Sequence, residues 1–133
     1  MENEIRVPIN SHQDIILARQ KGRSLATTLG FSSGDTTLIA TTISELARNI
    51  VTYAASGEIR VKVITGSARR GIQVIAHDDG PGIADVQRAM RDGFSTSGGL
   101  GLGLPGVKRL VDEFEIVSRE NQGTTVTAKK WKP

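Results

Sequence analysis

Residues 91–106 read RDGFSTSGGLGLGLPG, and they hold six of the fifteen glycines in the chain. Because glycine has no Cβ, backbone N–H groups in such a stretch can approach an anion closely. The residues that follow, VKRLV at 107–111, predict a helix, and a helix N-terminus adds unpaired donors and a positive dipole end. Pro105 suits the first turn of that helix, where its missing N–H costs nothing. The stretch therefore favours a phosphate-binding cradle, although taken alone it is equally typical of a surface loop.

The composition is that of a small domain with its own core. The chain has 133 residues, of which 38% are hydrophobic and 23% charged, so we expect one domain over residues 1–133. It contains no cysteine, which excludes a disulfide framework and thiol chemistry. Residues 1–4 are unlike a signal peptide, and no apolar run approaches the roughly 20 residues of a membrane span. We therefore expect a cytoplasmic protein without a membrane partner.

The net charge of +3 is mildly basic, but most basic residues are scattered along the chain. Lys129, Lys130 and Lys132 surround Trp131 and form the only local cluster. A solvated strand end explains this cluster better than contact with nucleic acid does. We therefore expect no nucleic-acid partner.

Hydrophobic periodicity predicts both strands and helices. Apolar and polar residues alternate in five segments that predict half-buried strands: residues 4–9, 58–64, 72–76, 114–118 and 124–130. Helical spacing or helix-start signals mark four further segments: residues 11–29, 33–53, 85–91 and 104–112. Together they predict an α+β fold, a two-layer α/β sandwich with helices on one face of a mixed, mostly antiparallel sheet.

The helix predicted over residues 33–53 carries the first candidate site. Five residues form its apolar stripe: Ile39, Ile43, Leu46, Ile50 and Tyr53. Glu45 and Asn49, one turn apart, lie beside this stripe at the rim of the core, whereas Arg48 points further out into solvent. An amide oxygen suits Mg²⁺, and a carboxylate can accept a proton from an attacking hydroxyl. Taken alone, however, a Glu and an Asn on a helix are more typical of a solvated face.

The second candidate site follows the strand predicted at residues 72–76. Asp78 at this strand end can accept a hydrogen bond from an exocyclic amine, while Gly80 and Gly82 would keep the floor flat for a planar ring. Thr124 follows Gly123 at the start of the last strand, and its hydroxyl could join Asp78 at the ring. An Asp-Gly-Pro turn and an ordinary hairpin turn are the alternative interpretations.

Order and spacing carry more information than any single cluster. The chain combines SELARN at residues 44–49, DDGPG at 78–82, GLGLGL at 99–104 and GTTV at 123–126. This combination resembles the N, G1, G2 and terminal Gly-Thr boxes of the GHKL superfamily of ATPases and kinases, over nearly the whole chain. The resemblance implies the Bergerat ATP-binding fold, with ATP between the helix that carries Glu45 and a lid around residues 94–101.

The resemblance also implies a role for each matching position. Asp78 would bind the adenine amino group, with Gly80, Gly82 and Thr124 near the ring. Asn49 would hold Mg²⁺ against the phosphates. Backbone N–H groups of the G2 box would wrap the phosphates of ATP, and its residues are Gly99, Leu100, Gly101, Leu102, Gly103 and Leu104.

Glu45 narrows the resemblance to part of the superfamily. Histidine kinases usually carry Asn at this position, whereas members that activate water or a serine hydroxyl keep Glu, because such nucleophiles gain from a nearby base. Neither His12 nor His77 lies in a phosphoacceptor helix pair, and one domain leaves no room for the transducer that water-activating ATPases need. The resemblance therefore favours a protein serine/threonine kinase of the anti-sigma type, with Glu45 as the catalytic base.

Residues 93–110 are similar in finer detail to the switch-protein serine kinases of the bacterial stressosome, including the Ser-Thr-Ser lid and the step from Pro105 to Gly106. That resemblance implies STAS-domain proteins as substrates and a PP2C-type phosphatase as a second partner. Two alternatives stay open. One is an anti-sigma factor that sequesters a sigma subunit, and the other is a non-enzymatic module gated by nucleotide.

Overall fold

The computed structural model describes residues 4–83 and 103–133. These ranges hold three helices and five strands, in the order β1 (Glu4–Ile9), α1 (His12–Leu29), α2 (Ser33–Tyr53), β2 (Gly57–Thr65), β3 (Arg70–Asp78), α3 (Gly103–Leu110), β4 (Glu113–Arg119) and β5 (Gly123–Trp131). The five predicted strands and three of the predicted helices are confirmed to within a few residues. The short helix predicted over residues 85–91 lies outside the described residues.

The strands form one sheet in the order β1-β2-β3-β5-β4. Every pairing among the described strands is antiparallel, so this part of the sheet is more regular than the mixed sheet expected from the sequence. The predicted α+β sandwich is otherwise confirmed. Because β3 and β5 run antiparallel, the end of β3 lies beside the start of β5, and Asp78 lies opposite Thr124.

The core lies between the sheet and the helix pair α1 and α2. The strands contribute alternate residues that are buried: Val7, Ile9, Ile59, Val61, Ile72, Val74, Ala76, Val126 and Ala128. The two helices approach closely at Gly22, where an added Cβ would lie 2.1 Å from Cδ1 of Ile43. This close contact between α1 and α2 holds α2 in one position over the sheet. It therefore decides which α2 residues face the sheet and which face α1.

Local side-chain signals define where α1 and α2 begin and end. The backbone N–H of Ser11 donates to the carboxylate of Asp14 at 3.2 Å, as predicted for the start of α1. Gly30 ends α1 with a left-handed φ of 90°, which glycine adopts without strain. The hydroxyl of Ser32 accepts a hydrogen bond from the N–H of Asp35 at 3.1 Å and caps α2.

Two side chains differ from their predicted environments. Tyr53 was expected in the buried stripe of α2, but it is 48% exposed because it lines a surface cavity instead of the core. Lys130 was expected at a solvated strand end, but only 17% of its side chain is exposed. Its Nζ lies 3.9 Å from Asp35 Oδ1 and 3.8 Å from Asp112 Oδ1, so charge pairing anchors this end of β5.

None of the helices within residues 4–83 and 103–133 has the length and apolar character needed to cross a bilayer.

Candidate functional site

A cavity of about 250 Å³ opens between α2, the end of β3, the start of α3 and the start of β5. We refer to it as the main cavity. Its apolar walls include Leu46, Ile50, Ala76, Leu104 and Val126. Four side chains with polar groups also line it, those of Asn49, Tyr53, Asp78 and Thr124. Apolar walls with a few polar groups are typical of small-molecule sites. The cavity therefore suits a largely apolar ring with polar groups at its edge.

Asp78 ends β3 and is partly buried in this cavity. Its Oδ1 accepts a hydrogen bond from the backbone N–H of Gly80 at 2.9 Å, which orients the carboxylate. Gly57 lies opposite Asp78 on β2, and an added Cβ there would lie 3.1 Å from the Asp78 Cβ and 2.8 Å from Cγ2 of Ile50. Gly57 therefore makes room for two cavity residues, a role that the sequence did not reveal.

Two glycines around the second candidate site allow neighbouring backbone segments to approach each other closely. Gly82 has a φ of 75°, and an added Cβ would lie 2.0 Å from the carbonyl oxygen of Arg119. Gly123 has a φ of 94°, and an added Cβ would lie 2.1 Å from the carbonyl oxygen of Asp78. Gly82 lines the cavity, but Gly80 does not and instead holds Asp78 through its N–H. No other residue fits such contacts without strain.

Ser118 on β4 was not singled out from the sequence, yet it joins the segment after Asp78 to the β4–β5 hairpin. Its hydroxyl accepts a hydrogen bond from the backbone N–H of Ile83 at 2.7 Å and lies 2.7 Å from the hydroxyl of Thr124. Nearby, the N–H of Asn121 donates to the carbonyl oxygen of Pro81 at 2.6 Å. A serine in a strand carries no sequence signal for such a role, because the contact depends on strand register.

The glycine-rich stretch that suggested a phosphate cradle is described only from Gly103 onward. Gly103 has a φ of 69° and begins α3, and Pro105 occupies the first turn as predicted. Leu104 is buried and lines the main cavity. The predicted phosphate ligands Gly99, Leu100, Gly101 and Leu102 lie outside the described residues.

Glu45 does not line the main cavity. It is 8% exposed and lies at a second hollow of about 300 Å³ between α1 and α2. We name this the arginine hollow, and its residues are Arg19, Arg23, Thr37, Ala40, Thr41, Ser44, Glu45 and Arg48. Arg48 was expected to point into solvent, but its Nη1 donates to Oε1 of Glu45 at 2.9 Å. The carboxylate attracts the guanidinium back towards the helix, and 36% of the Arg48 side chain stays exposed.

Of the eight predicted site residues that the structure describes, five line the main cavity, Glu45 lines the arginine hollow, and Gly80 and Gly103 line neither. Asn49, Asp78, Gly82, Leu104 and Thr124 share the main cavity. Glu45 lies one helical turn from Asn49, but it lines the neighbouring arginine hollow.

The side chains around the main cavity suit a Mg²⁺ ion that binds together with a nucleotide better than a metal ion held by protein side chains alone. Within the described ranges, no group of three or more acidic or histidine side chains is arranged to hold a metal ion. Mg²⁺ usually keeps several waters and takes one or two protein ligands together with substrate phosphates. The amide oxygen of Asn49, beside the main cavity, is a hard ligand of that kind.

Comparison with known proteins identifies the family and the fold. Residues 34–133 match the family model described as histidine kinase-, DNA gyrase B-, and HSP90-like ATPase. The chain belongs to this GHKL family of ATPases. The matched range contains Asn49, Tyr53, Asp78 and Thr124 of the main cavity.

The chain is similar over nearly its whole length to two curated relatives. It is 50% identical to Serine/threonine-protein kinase RsbT of Bacillus subtilis (strain 168), over 98% of each chain. It is 27% identical to the anti-sigma F factor of Bacillus thuringiensis (strain Al Hakam), over 98% of this chain and 94% of that one. With the family match, these likenesses confirm the predicted enzyme class, an ATP-dependent protein serine/threonine kinase.

Solved structures confirm the GHKL fold. The RsbU and RsbW domains of a Mycobacterium tuberculosis protein match with a TM-score of 0.66 at 19% identity, covering 98% of this chain. This chain spans 33% of that one. The catalytic domain of the histidine kinase ThkA matches with a TM-score of 0.55 at 17% identity, over 96% of both chains.

Proposed function

We propose that this GHKL protein binds Mg-ATP at the main cavity and transfers the γ-phosphoryl group to a serine or threonine of a STAS-domain protein. One observation carries the proposal. Asn49, Asp78 and Thr124 are far apart in the sequence, yet they line a single cavity with apolar walls.

In this proposal the adenine ring lies between the apolar walls. The Asp78 carboxylate accepts a hydrogen bond from the exocyclic amine, since it has acceptor capacity beyond its bond with Gly80. The cavity of about 250 Å³ is below the usual range of about 300–1,000 Å³ for small-molecule sites. Its described walls therefore suit the base, and the phosphates extend beyond them.

Asn49 and the glycine-rich stretch are the proposed phosphate side of the site. Asn49 would hold Mg²⁺, which when bound neutralises phosphate charge and clamps the phosphate oxygens. Backbone N–H groups of residues 99–104 would bind the phosphates. The start of α3 at Gly103, next to the cavity residue Leu104, supports this orientation because helix N-termini attract anions.

Glu45 is the proposed base. Since it opens on the arginine hollow, the acceptor hydroxyl approaches from that side of α2. The Arg48 hydrogen bond engages Oε1 and restrains the carboxylate, and a carboxylate so held can still accept a proton. The acceptor oxygen bonds to the γ-phosphorus, the bond to the bridging oxygen of ADP breaks, and the hydroxyl proton passes to Glu45.

The partners are inferred from likeness. The resemblance of residues 93–110 to stressosome switch kinases and the 50% identity to RsbT support STAS-domain substrates and a PP2C-type phosphatase as a second partner. We accordingly place the protein in the cytoplasm, in bacterial stress signalling. The 27% identity to an anti-sigma F factor supports a second candidate function, in which the kinase also sequesters a sigma subunit.

A transfer assay tests the proposal. The protein is incubated with ATP labelled in the γ-phosphate, Mg²⁺ and a STAS-domain protein, and the modified residue is mapped by mass spectrometry. We expect label on one serine or threonine, and no label without Mg²⁺. ATP binding without transfer to any STAS protein would contradict the kinase step. Capture of a sigma factor by the same preparation would favour the second candidate.

A further inference from the structure

Three polar side chains form a row across β4, β5 and β3 at the edge of the main cavity. Ser118 is paired with Thr124, and Thr124 is paired with Asp78. Directly paired residues present their side chains on the same face of a sheet. Thr124 and Asp78 line the cavity, whereas Ser118 does not. Ser118 therefore lies beside Thr124, one strand further from the cavity.

Three contacts meet at the Ser118 hydroxyl. The N–H of Ile83 donates to it at 2.7 Å, the Thr124 hydroxyl lies 2.7 Å away, and the carbonyl oxygen of Gly123 lies 3.2 Å away. A serine hydroxyl has one proton to donate and two lone pairs that accept. All three contacts are hydrogen bonds at once only when Ser118 donates to Gly123 and accepts from Thr124.

This arrangement determines what Thr124 presents to the cavity. Its only hydroxyl proton is directed at Ser118, so its remaining capacity is that of an acceptor. The neighbouring Asp78 carboxylate is also an acceptor. The polar edge formed by these two residues is thus built to receive donors.

We infer that Ser118 is a positioning residue for nucleotide selectivity, which holds the Thr124 hydroxyl as an acceptor and thereby favours a purine with an exocyclic amine. An amine brings two N–H donors to two adjacent acceptors. A keto oxygen in the same place is itself an acceptor, so it can form no hydrogen bond with either residue. Polar sites reject close analogues of their ligands in this way. The inference rests on the proposed nucleotide binding in the main cavity.

Other contacts hold the wall when Ser118 is changed. The N–H of Asn121 donates to the carbonyl oxygen of Pro81, and the backbones of Gly82 and Arg119 lie in close contact. The segment after Asp78 therefore stays attached to the β4–β5 hairpin in Ser118→Ala. The variant removes the partner of Thr124 without removing the wall.

Calorimetric titration with ATP and with inosine triphosphate, which carries oxygen in place of the amine, tests the inference. In Ser118→Ala the Thr124 proton is free to turn towards the cavity, so we expect the preference for ATP over inosine triphosphate to fall about tenfold, roughly the effect of one hydrogen bond. Ser118→Thr keeps the hydroxyl and should keep the preference. Thr125→Val is the matched control, since its hydroxyl bonds His77 Nδ1 at 2.8 Å and it does not line the cavity.

A double-mutant cycle separates positioning from general loosening. In a Thr124→Val background, Ser118→Ala should leave the preference unchanged, because the group it orients is gone. An unchanged preference in Ser118→Ala alone, or an equal loss with and without Thr124, overturns the inference. If Ser118→Ala does not fold, the test rests on the other two variants: Ser118→Thr must keep the preference and Thr124→Val must lower it. A parent protein that binds neither nucleotide refutes the proposed function itself.

Discussion

The two sides of α2 differ in chemistry although they share one helix. The main cavity side presents Leu46, Asn49 and Ile50 towards apolar walls contributed by the sheet. The other side presents Glu45 and Arg48 towards the arginine hollow, where α1 adds two more guanidinium groups. One side therefore suits recognition of a ring, and the other suits a charged or polar segment.

This difference shows how one helix can contribute residues to both the nucleotide site and the proposed acceptor site of a phosphoryl transfer. Glu45 and Asn49 are one turn apart, which keeps the proposed base close to the proposed Mg²⁺ ligand while each faces its own hollow. Nucleotide affinity and phosphoryl transfer should therefore respond to different substitutions.

Asp78→Asn should give the largest effect on the main cavity side. The amide NH₂ group would face the donor amine of adenine, and we expect ATP affinity to fall by about 100-fold or more. Titration calorimetry measures it, with Asp79→Asn as the matched control because the Asp79 side chain is 91% exposed. Unchanged ATP affinity in Asp78→Asn would remove this residue from the site.

Glu45→Gln should separate the effect on phosphoryl transfer from the effect on ATP affinity. It keeps the shape of the side chain but removes the proton acceptor, so we expect ATP affinity near that of the parent and transfer reduced by about 10²–10⁴-fold. Labelled-phosphate transfer to a STAS protein and ATP titration are measured on the same preparation. Arg48→Gln, which removes the partner of Glu45 but not the carboxylate, should slow transfer less. Equal transfer rates in Glu45→Gln and the parent would exclude the proposed base.

Gly57→Ala should affect the main cavity through packing. The added Cβ would lie 2.5 Å from the backbone carbonyl oxygen of His77, overlap Ile50 and crowd Asp78. We expect a loss of about 1–3 kcal/mol in the free energy of unfolding, together with weaker ATP binding. Chemical denaturation measures the stability. Gly34→Ala is the control, because the nearest atom to its added Cβ is the Ser32 hydroxyl at 3.9 Å. A fully stable Gly57→Ala with normal ATP binding would show that this wall adjusts freely.

The smallest effect is expected at Glu4, which lines neither hollow. A hydrogen bond from Arg6, aided by the charge of Arg60, holds the pKa of the Glu4 carboxyl below its ordinary value. A lowered pKa in the folded state gives a contribution to stability that is present above the unfolded pKa and is lost as pH falls through the folded pKa. Arg6→Gln should raise the Glu4 pKa in an NMR titration and leave ATP binding and transfer unchanged. A change in either activity would show that the edge strand influences the two hollows.

Local sequence signals predicted most of the elements because the interactions concerned are themselves local. Asp14 lies three residues from Ser11, Gly30 supplies the left-handed turn, and alternation marks each strand. The same signals failed for Tyr53 and Lys130, whose surroundings are contributed by distant segments. Box spacing identified the GHKL family without any of these contacts.

The sequence by itself determined the elements, the family and the identity of the polar residues, since these depend on residue type and on separation along the chain. Only the tertiary structure decided that the neighbours Glu45 and Asn49 line two different hollows, and that Ser118 supports Thr124. Helical spacing fixes the angle between two side chains, but the element that each one meets depends on how α1 and the sheet pack around the helix. Strand register in turn decides which hydroxyls touch, and register arises from pairing between strands that the chain order alone leaves open.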